Sequence, residues 1–308
     1  MIVTNQTAVY KAFGLTISSD IPLPELHEYT CYDADHVSVF IQKADLTQLW
    51  SEFAGQQNKF AVKDNIVMFQ LPDVGTFCIQ DGESIRVSPA EGVDPNKVRL
   101  YILGTCLGVA LLQRKILPLH GSALAIDGMV YAVVGQSGAG KSTLASVLMK
   151  RGYQLLSDDV IAVSFTQDNT PLVTPSYPQQ KLWKESIDQL GMEIADFQPL
   201  FERETKFAVP VASHFYSEPL PLAGIFELVH TQDDQIGIHR IKGLESLFVL
   251  NRHTYRKSVV ASLGLSEWHF NTSVRLLSSI DVFRLQRPTT RFTAPNLADL
   301  VLSEISKM

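Results

Sequence analysis

The residues best suited to chemistry form a glycine-rich loop between Gly135 and Ser142. The loop fits the pattern GxxxxGK[ST], whose glycines let successive backbone amides turn inward around the phosphates of a nucleoside triphosphate. Lys141 is then placed to reach the β- and γ-phosphates, and the Ser142 hydroxyl to bind a metal ion. We therefore expect ATP and Mg²⁺ as cofactors, with the choice between ATP and GTP left open. The candidate nucleotide-binding residues are Gly135, Gln136, Ser137, Gly138, Ala139, Gly140, Lys141, Ser142 and Thr143.

The segments on either side of the loop have the patterns that such a site needs. Met129–Val134 is an apolar run rich in β-branched residues, which predicts a buried strand. After the loop, Leu144, Val147 and Leu148 recur at helical spacing, and Gly152 stands where a helix would end. The loop amides are thus expected at a helix N-terminus, where the helix dipole also favours anions.

Two adjacent carboxylates, Asp158 and Asp159, follow the next apolar run, Tyr153–Ser157. In open α/β sheets, ligands bind at the carboxyl ends of strands, so this pair is expected to face the loop. We predict that Asp158 accepts the proton of an acceptor hydroxyl and that Asp159 binds Mg²⁺ together with Ser142. The reverse assignment stays open, and so does a solvated turn without a catalytic role.

His120 is predicted to lie behind the loop because of a hairpin. The dipeptide Asp127-Gly128 separates two apolar runs and indicates a two-residue turn. Counting back from that turn pairs Ile126 with Met129 and brings His120 opposite Gly135. The imidazole would then reach the phosphates or the metal ion. The alternative is a histidine with a purely structural role.

Phosphoryl transfer also needs a cation to stabilise the charge on the transferred group. Four residues in predicted loops or near helix ends are candidates, although most exposed arginines are simply solvated. They are Arg203, Lys206, Arg252 and Arg256. We assign this role to Arg256, so the predicted catalytic residues are Asp158, His120, Lys141 and Arg256.

Composition excludes several classes of protein. The chain has 308 residues and a net charge of −6, which argues against nucleic acid or an anionic membrane as the main partner. The apolar stretch Tyr101–Leu112 is too short to span a bilayer, and residues 1–7 lack the features of a signal peptide. Cys31, Cys78 and Cys106 have no metal or redox spacing and indicate buried thiols of a reducing cytoplasm.

The order of elements predicts an α/β protein in two domains. Short strands separated by turns dominate the segment before residue 91, and a helix of about four turns follows Pro95. We place a β-rich domain at residues 1–93 and a phosphate-loop domain at residues 94–308. Alternating strands and helices around the loop are typical of an α/β core.

Three further segments carry specific predictions. The spacing of apolar residues from Gln180 to Gly191 predicts a helix. The polar run around Asp233-Asp234 is read as a hairpin turn between strands at 225–229 and 236–241. The charged, proline-containing segment Arg203–Pro221 suits a substrate lid.

Three motifs together resemble the catalytic domain of HPr kinase/phosphorylase. They are His120-Gly121, the loop Gly135–Ser142 and the pair Asp158-Asp159. The resemblance implies a phosphate-loop kinase core of the HPr kinase C-terminal-domain type, with a β-rich N-terminal domain before it. Thr143 departs from the family pattern, because those kinases usually have Glu after the loop serine. This removes one carboxylate from the region of the metal.

The wider chain is similar to HPr kinase homologues found with lasso-peptide biosynthesis proteins. The similar segments are Tyr10–Leu15, Ser19–Leu26, Pro221–Leu228, Asn251–Arg256 and Phe283–Pro288. That resemblance implies ATP-dependent phosphorylation of a precursor peptide at its C-terminal serine. The resemblance to HPr kinases makes a homo-oligomer plausible. Three alternatives stay open: a nucleotide-gated module that binds a peptide without catalysis, a small-molecule kinase and a kinase of an HPr-like protein.

Overall fold

The computed structural model divides the chain into two compact units. One unit comprises residues 1–117 and 256–269, and the other comprises residues 118–255 and 270–308. The predicted domains, residues 1–93 and 94–308, are meant as segments that fold independently. Compact units do not test that property, so this boundary stays a prediction. The structure describes residues 8–29, 36–53, 60–194, 197–200 and 205–308.

Runs of strands are interrupted by helices along the chain. The strands are β1 Ala8–Ala12, β2 Leu15–Ser19, β3 His27–Glu28, β4 Val39–Lys43, β5 Ala61–Lys63, β6 Ile66–Leu71, β7 Gly75–Gln80, β8 Ser84–Pro89, β9 Leu117–Ile126, β10 Met129–Val134, β11 Gln154–Phe165, β12 Pro171–Thr174, β13 Gln179–Trp183, β14 Gln198–Pro199, β15 Lys206–Pro210, β16 Leu220–Thr231, β17 Gly237–Ile241 and β18 Asp281–Pro288. The helices are α1 Thr47–Phe53, α2 Pro95–Tyr101, α3 Leu107–Gln113, α4 Lys141–Lys150, α5 Lys184–Gln189, α6 Leu244–His253, α7 Lys257–Ser262, α8 Ser266–Leu277 and α9 Ala294–Ile305.

The first unit contains a sheet with strand order β3-β1-β2-β4-β8-β7-β6-β5. Its inward faces are apolar, and Ile17, Ile41, Phe77 and Ile85 are fully buried. This sheet confirms the short strands predicted for the beginning of the chain. Of the three cysteines, Cys78 and Cys106 are buried as predicted, and Cys31 lies outside the described residues.

The helix predicted after Pro95 is present and is built in three parts. It begins with α2, where the Asp94 side chain accepts a hydrogen bond from the Asn96 amide. The segment Ile102–Cys106 then widens into a π-helix, and α3 follows directly. Every residue of the π segment is buried, so the widened turn packs inside this unit. No helix of the described residues has the length and hydropathy that a bilayer span requires.

The second unit is organised around a sheet of strand order β10-β9-β11-β12-β16-β18-β17. Strand β10 also pairs in parallel with β16, so five of these strands close into a ring of pairings. The apolar core below this sheet includes residues of α4 and α9, among them Leu144, Leu148 and Leu297. Parallel pairing of β10, β16 and β18 brings their carboxyl ends to one edge, where a ligand can bind.

The predicted helix from Gln180 to Gly191 is wrong in its first half. Residues up to Trp183 form β13, which pairs antiparallel with β15, and only Lys184–Gln189 is helical. Apolar residues at 182, 183, 187 and 190 match a helical spacing, but pairing with a distant strand overrides that local signal. This change of structure alters where the side chain of Lys181 lies.

The predicted hairpin around Asp233-Asp234 is also wrong. Strand β16 runs to Thr231 and β17 begins at Gly237, but the two strands do not pair with each other. Both pair instead with β18, which lies between them. Two strands joined by a turn can pair directly as a hairpin, or a strand from later in the chain can lie between them. The local sequence does not distinguish these two arrangements.

Candidate active site

The glycine-rich loop connects β10 to α4, as the sequence predicts. Gly138 and Gly140 have φ angles of +85° and +102°, a left-handed region that other residues rarely adopt. At Gly135, an added Cβ would lie 2.6 Å from the Leu228 carbonyl oxygen, so only glycine fits at this crossing. Gly152 follows α4 with φ +97° and donates its amide to the Met149 carbonyl, which confirms the predicted helix end.

The hairpin of β9 and β10 has the predicted register. Ile126 pairs with Met129, and the pairing continues in step to Gly121 opposite Val134. His120 is the next residue, and its ring lies beside the loop. The Lys141 ammonium is 3.3 Å from His120 Nε2, and the Asp159 carbonyl oxygen is 3.0 Å from His120 Nδ1. These contacts fit a neutral imidazole that donates through Nδ1 and accepts through Nε2.

The Lys141 side chain folds back onto its own loop. Its ammonium donates hydrogen bonds to the carbonyl oxygens of Gly135 at 2.9 Å and Gln136 at 3.0 Å. Burial is the main reason that the pKa of Lys141 is lowered to about 8, and burial likewise lowers the pKa of His120. An anion placed in the loop would therefore find a desolvated cation beside it.

Asp158 is buried and accepts hydrogen bonds from three neutral donors. The Ser122 hydroxyl lies 2.6 Å from Oδ1, the Ser142 hydroxyl lies 3.0 Å from the same oxygen, and the Lys181 amide lies 2.8 Å from Oδ2. The contact with Ser142 ties this carboxylate to the start of α4. The strand after the loop thus brings Asp158 to the glycine-rich loop, as the sequence predicts.

The side chain of Asp159 lies near the loop, as that of Asp158 does, because β11 is locally distorted. Successive side chains of a regular strand point to opposite faces. Asp159 instead has a φ of +74°, which is uncommon for a residue other than glycine. Its carboxylate contacts Lys181 Nζ at 2.8 Å and His120 Nδ1 at 3.4 Å. Backbone strain of this kind clusters at functional sites.

The charge of Asp159 is fixed by its surroundings. Burial alone would raise its pKa, but Lys181 and His120 outweigh that effect and hold the pKa well below the usual range. The pKa of Lys181 is raised above its ordinary value by Asp159, although burial opposes this shift. Asp159 and Lys181 therefore form a charged pair over the pH range in which proteins are stable.

Lys181 and Lys206 complete a chamber that we call the phosphate chamber. Its lining residues are His120, Ser137, Gly138, Gly140, Lys141, Ser142, Thr143, Asp158, Asp159, Lys181, Leu182, Trp183 and Lys206. The sequence suggested Lys206 as a candidate cation, and its ammonium lies 5.6 Å from the centre of the Trp183 ring. The sequence does not single out Lys181, because the spacing of apolar residues around it predicts a helix. Period-2 alternation over Gln179–Trp183 is too short to have revealed the strand.

Two other candidate cations contact residues that do not belong to the glycine-rich loop. Arg256 belongs to the first unit, where its guanidinium donates to the Thr105 hydroxyl and lies over the Phe60 ring. Arg252 is largely exposed on α6, with its guanidinium 3.9 Å from a Glu227 oxygen. Arg203 lies outside the described residues. The structure brings Lys206 to the loop, and the catalytic role assigned to Arg256 stays a prediction.

Arg287, at the end of β18, is a second residue that the sequence did not single out. Its Nε donates to the Ala139 carbonyl at 2.8 Å, and a guanidinium nitrogen lies 3.0 Å from His230 Nε2. A Cβ added to Gly140 would lie 3.4 Å from Arg287 Nε, so the guanidinium covers the loop closely. Burial lowers the pKa of Arg287 below its ordinary value. Arg287 thus holds the loop from the side of β18.

The residues present fit a magnesium ion bound together with phosphate. Among the described residues, no group of three or more His, Cys, Asp or Glu side chains could hold a metal ion unaided. Mg²⁺ in phosphoryl-transfer sites usually keeps waters and takes only one or two carboxylates in addition to substrate phosphates. Ser142, Asp158 and Asp159 supply that smaller donor set, and the loop supplies the place for the phosphates.

Comparison with known proteins gives one family for this region. Residues 113–205 match the model described as HPr Serine kinase C-terminal domain. An HPr kinase/phosphorylase of Mycoplasmopsis pulmonis is 41% identical over 70 residues, which cover 22% of this chain and 23% of the relative. That of Lactobacillus johnsonii is 37% identical over 139 residues, covering 42% of both chains. The alignments thus span less than half of either relative.

The longer matches are weaker. An HPr kinase/phosphorylase of Limosilactobacillus reuteri is 27% identical over 195 residues, which cover 60% of this chain and 58% of the relative. The solved structure of the Hpr(Ser) kinase/phosphatase from Coxiella burnetii has 16% identity and a TM-score of 0.34, covering 62% of this chain and 97% of that one. A TM-score of that size carries no argument about the fold, so the similarity to this family rests on the sequence matches to part of the chain.

Proposed function

We propose, on the premise that the loop region belongs to the HPr kinase/phosphorylase family, that this chain is an ATP- and Mg²⁺-dependent serine kinase acting on a peptide or protein. One observation carries the proposal. Lys141, His120, Asp158 and Asp159 line one chamber at the glycine-rich loop. A triphosphate-binding loop next to paired carboxylates provides both the donor site and the groups that an acceptor hydroxyl needs.

The roles of the loop residues follow from their positions. The amides from Gly135 to Ser142 would bind the phosphates, and Lys141 would turn from the loop carbonyls to the β- and γ-phosphates. Mg²⁺, when bound, would neutralise charge that develops on the transferred phosphoryl group. Ser142 and Asp159 are the residues we assign to the metal, as their place beside the loop supports.

Asp158 is our candidate for the proton acceptor. Asp159 is a poor proton acceptor, because Lys181 and His120 hold its pKa well below the usual range. Asp158 instead accepts hydrogen bonds from the Ser122 and Ser142 hydroxyls and from the Lys181 amide, which place it at the start of the helix that follows the loop. His120 would keep Asp159 in position and lie near the γ-phosphate.

The acceptor we propose is the C-terminal serine of a lasso-peptide precursor. The similarity of Tyr10–Leu15, Asn251–Arg256 and Phe283–Pro288 to homologues from lasso-peptide biosynthesis supports this choice. The competing acceptor is an HPr-like protein, after the name of the matched relatives. The chain aligns with only part of those relatives, so their activity does not by itself choose between the two.

The proposal is tested by incubating the protein with Mg²⁺ and ATP and either a precursor peptide ending in serine or an HPr protein. Mass spectrometry should show a gain of one or more phosphates on the peptide serine. Transfer to HPr alone would replace the proposed acceptor. ATP binding without phosphate on any acceptor would favour a nucleotide-gated binding module and contradict the kinase assignment.

The assignment of the proton acceptor has its own test. Asp158→Asn should lower the transfer rate at least about 10²-fold, the lower range of general-base contributions, while nucleotide affinity is retained. Asp159→Asn should instead raise the Mg²⁺ concentration needed for half-maximal rate. If the two variants exchange these effects, the roles of the two carboxylates are exchanged as well.

A further inference from the structure

Lys206 is a cation of the phosphate chamber to which the proposed reaction has given no role. Among the described residues, the lysines that line the chamber are Lys141, Lys181 and Lys206. Lys141 is assigned to the β- and γ-phosphates, and Lys181 contacts the Asp159 carboxylate at 2.8 Å. A third lysine lets the chamber recognise a further negative group, and the acceptor is the reactant that remains to carry one.

The backbone of Lys206 is held on both sides. Lys206 begins β15, which lies between β13 and β14 in a sheet of order β13-β15-β14. It pairs with Trp183 of β13, and its carbonyl accepts a hydrogen bond from the Leu200 amide at 2.7 Å. The Lys206 ammonium lies 5.6 Å from the centre of the Trp183 ring, a distance at which a cation is attracted to an aromatic face. A paired strand and an aromatic ring thus set the place of this side chain.

The charge of Lys206 acts on the side of the chamber where the paired carboxylates lie. Burial is the main cause of the lowered pKa values of His120 and Lys141, and Lys206 lowers both further. Burial would raise the pKa of Asp159, but Lys181 and His120 lower it. Lys206 lowers the pKa of Asp159 as well. An anion bound to Lys206 would therefore lie beside the carboxylates and the loop lysine.

A serine at the end of a chain carries such an anion next to its hydroxyl. Its α-carboxylate and its hydroxymethyl group are bonded to the same carbon atom, so the two groups enter a site together. A serine inside a chain has a neutral amide in place of the carboxylate. Hydrogen bonds between charged groups are about twice as strong as those between neutral groups. A cation beside the proton acceptor can therefore distinguish a terminal serine from an internal one.

We infer that Lys206 binds the α-carboxylate of the acceptor serine while Asp158 accepts the proton of its hydroxyl, which makes the kinase selective for a chain that ends in serine. The inference rests on the proposed kinase activity and adds how the site selects its acceptor. Two contacts to one residue fix its orientation, so the hydroxyl oxygen faces the γ-phosphate. That oxygen bonds to the γ-phosphorus, the bond from this phosphorus to the bridging oxygen breaks, and ADP leaves. Lys206 adds no chemical step of its own.

The inference is tested with one precursor peptide ending in serine, prepared with a free C-terminal carboxylate and with a C-terminal amide. With the full chain, Mg²⁺ and ATP, kcat/KM should be at least about tenfold higher for the acid than for the amide, the size of a hydrogen bond between charged groups. Lys206→Met removes the charge but keeps an unbranched side chain, and it should bring this ratio to about one. Lys206→Arg keeps the charge and should restore most of the ratio.

Lys184→Met is the matched control. Lys184 is exposed, follows Trp183 in the chain and does not line the chamber. The same change of charge and side chain at this position should leave the ratio of acid to amide at the wild-type value.

A peptide that ends in alanine measures the recognition even where transfer is slow. It has the terminal carboxylate but no hydroxyl at the last residue, so it can bind without accepting phosphate there. Calorimetric titration of the full chain in the presence of Mg·ADP should show tighter binding of its acid than of its amide. Lys206→Met should lose that preference, and Lys184→Met should keep it.

The outcomes separate the role of Lys206 from the kinase activity. Equal kcat/KM of the wild type for the acid and the amide would overturn the inference and leave the proposed kinase standing. A preference for the acid that persists in Lys206→Met, or that is lost equally in Lys184→Met, would also overturn it. Transfer by the wild type to neither peptide would overturn the proposed acceptor and the inference together.

Discussion

Glu227 is a fully buried carboxylate on the strand next to the loop strand, and it is held by three cationic or polar neighbours. It pairs in register with Val134, and its side chain accepts hydrogen bonds from His253 at 2.9 Å and from Arg284 at 2.7 and 2.9 Å. Arg252 adds a longer contact of 3.9 Å. Burial alone would raise the pKa of Glu227, but these hydrogen bonds outweigh it and lower the pKa. Removing one partner of a buried charge is costly.

Glu227→Gln should therefore destabilise the protein at neutral pH. We expect a loss towards the lower end of about 3–5 kcal/mol, since Arg284 keeps some contact with solvent and a second partner. Because the folded pKa is depressed, the stabilisation is present above the unfolded pKa of about 4.3 and is lost as pH falls through the folded value. Urea unfolding from pH 7 to pH 3 should show the wild type approaching the variant as pH falls.

Glu245→Gln is the control for that experiment. Glu245 also pairs with Arg284, but its side chain is half exposed, so its removal should cost less than about 1 kcal/mol. A destabilisation by Glu245→Gln as large as that by Glu227→Gln would show that burial of the carboxylate is not the cause. A difference between wild type and Glu227→Gln that does not change with pH would show that its ionisation is not the cause.

At the scale of elements, the site depends on the contact between α4 and β13. Gln180 is buried on β13, donates to the Ser142 carbonyl at 2.9 Å and accepts from the Ser146 hydroxyl at 2.6 Å. The next residue, Lys181, holds both carboxylates of β11. The Gln180 side chain thus joins the first turns of α4 to β13, the strand whose Lys181 contacts both Asp158 and Asp159.

Gln180→Ala should loosen that junction. The unfolding free energy should fall by about 1–3 kcal/mol, because a buried carbonyl and hydroxyl each lose a partner. The rate of phosphate transfer should fall as well, since Ser142 and Lys181 lose their common tether. Denaturant unfolding and the transfer assay measure the two effects.

Ser146→Ala is the comparison for this variant. It removes one hydrogen bond to Gln180 but leaves the bond between Gln180 and Ser142 in place. It should cost some stability and leave the transfer rate near that of the wild type. If Gln180→Ala lowers stability and the transfer rate is unaffected, the junction has no part in positioning the site.

At the scale of the whole molecule, the domain boundary predicted from the sequence differs from the boundary between the two compact units of the structure. The sequence predicts a catalytic domain of residues 94–308, whereas α2, α3 and residues 256–269 group with the beginning of the chain in the structure. Within that unit, Tyr101 packs against Phe69 and Phe77. Gln113 also donates to the Asn65 carbonyl at 2.6 Å. These contacts are lost if the chain is cut at residue 94.

A fragment of residues 94–308 tests which division holds. If the apolar residues of α2 and α3 need the sheet of residues 8–89, the fragment should aggregate or melt well below the full chain. Circular dichroism melting and size-exclusion chromatography would show this. A fragment that stays monodisperse with an unchanged melting temperature would support the predicted domain at residues 94–308.

The sequence alone determined the parts of the site that depend on local spacing. The loop, the strand before it and the helix after it follow from glycine positions and short-range periodicity. The place of His120 followed as well, because a two-residue turn sets the register of a hairpin residue by residue. The sequence also predicted that the two carboxylates face the loop, but they lie within β11 rather than at its end, and the distorted backbone at Asp159 is a feature of the structure.

The tertiary structure decided everything that depends on pairing between distant segments. Lys181 reaches Asp159 because its segment forms β13 and pairs with β15. The predicted helix from Gln180 would have placed this side chain differently. Arg287 reaches the loop because β18 inserts between β16 and β17. Local propensity differs by only about 1 kcal/mol among residues in strands, so long-range pairing overrides it, and no local pattern records the partner. For that reason the glycine-rich loop could be predicted from the sequence, whereas the approach of Lys181 and Arg287 to the site could not.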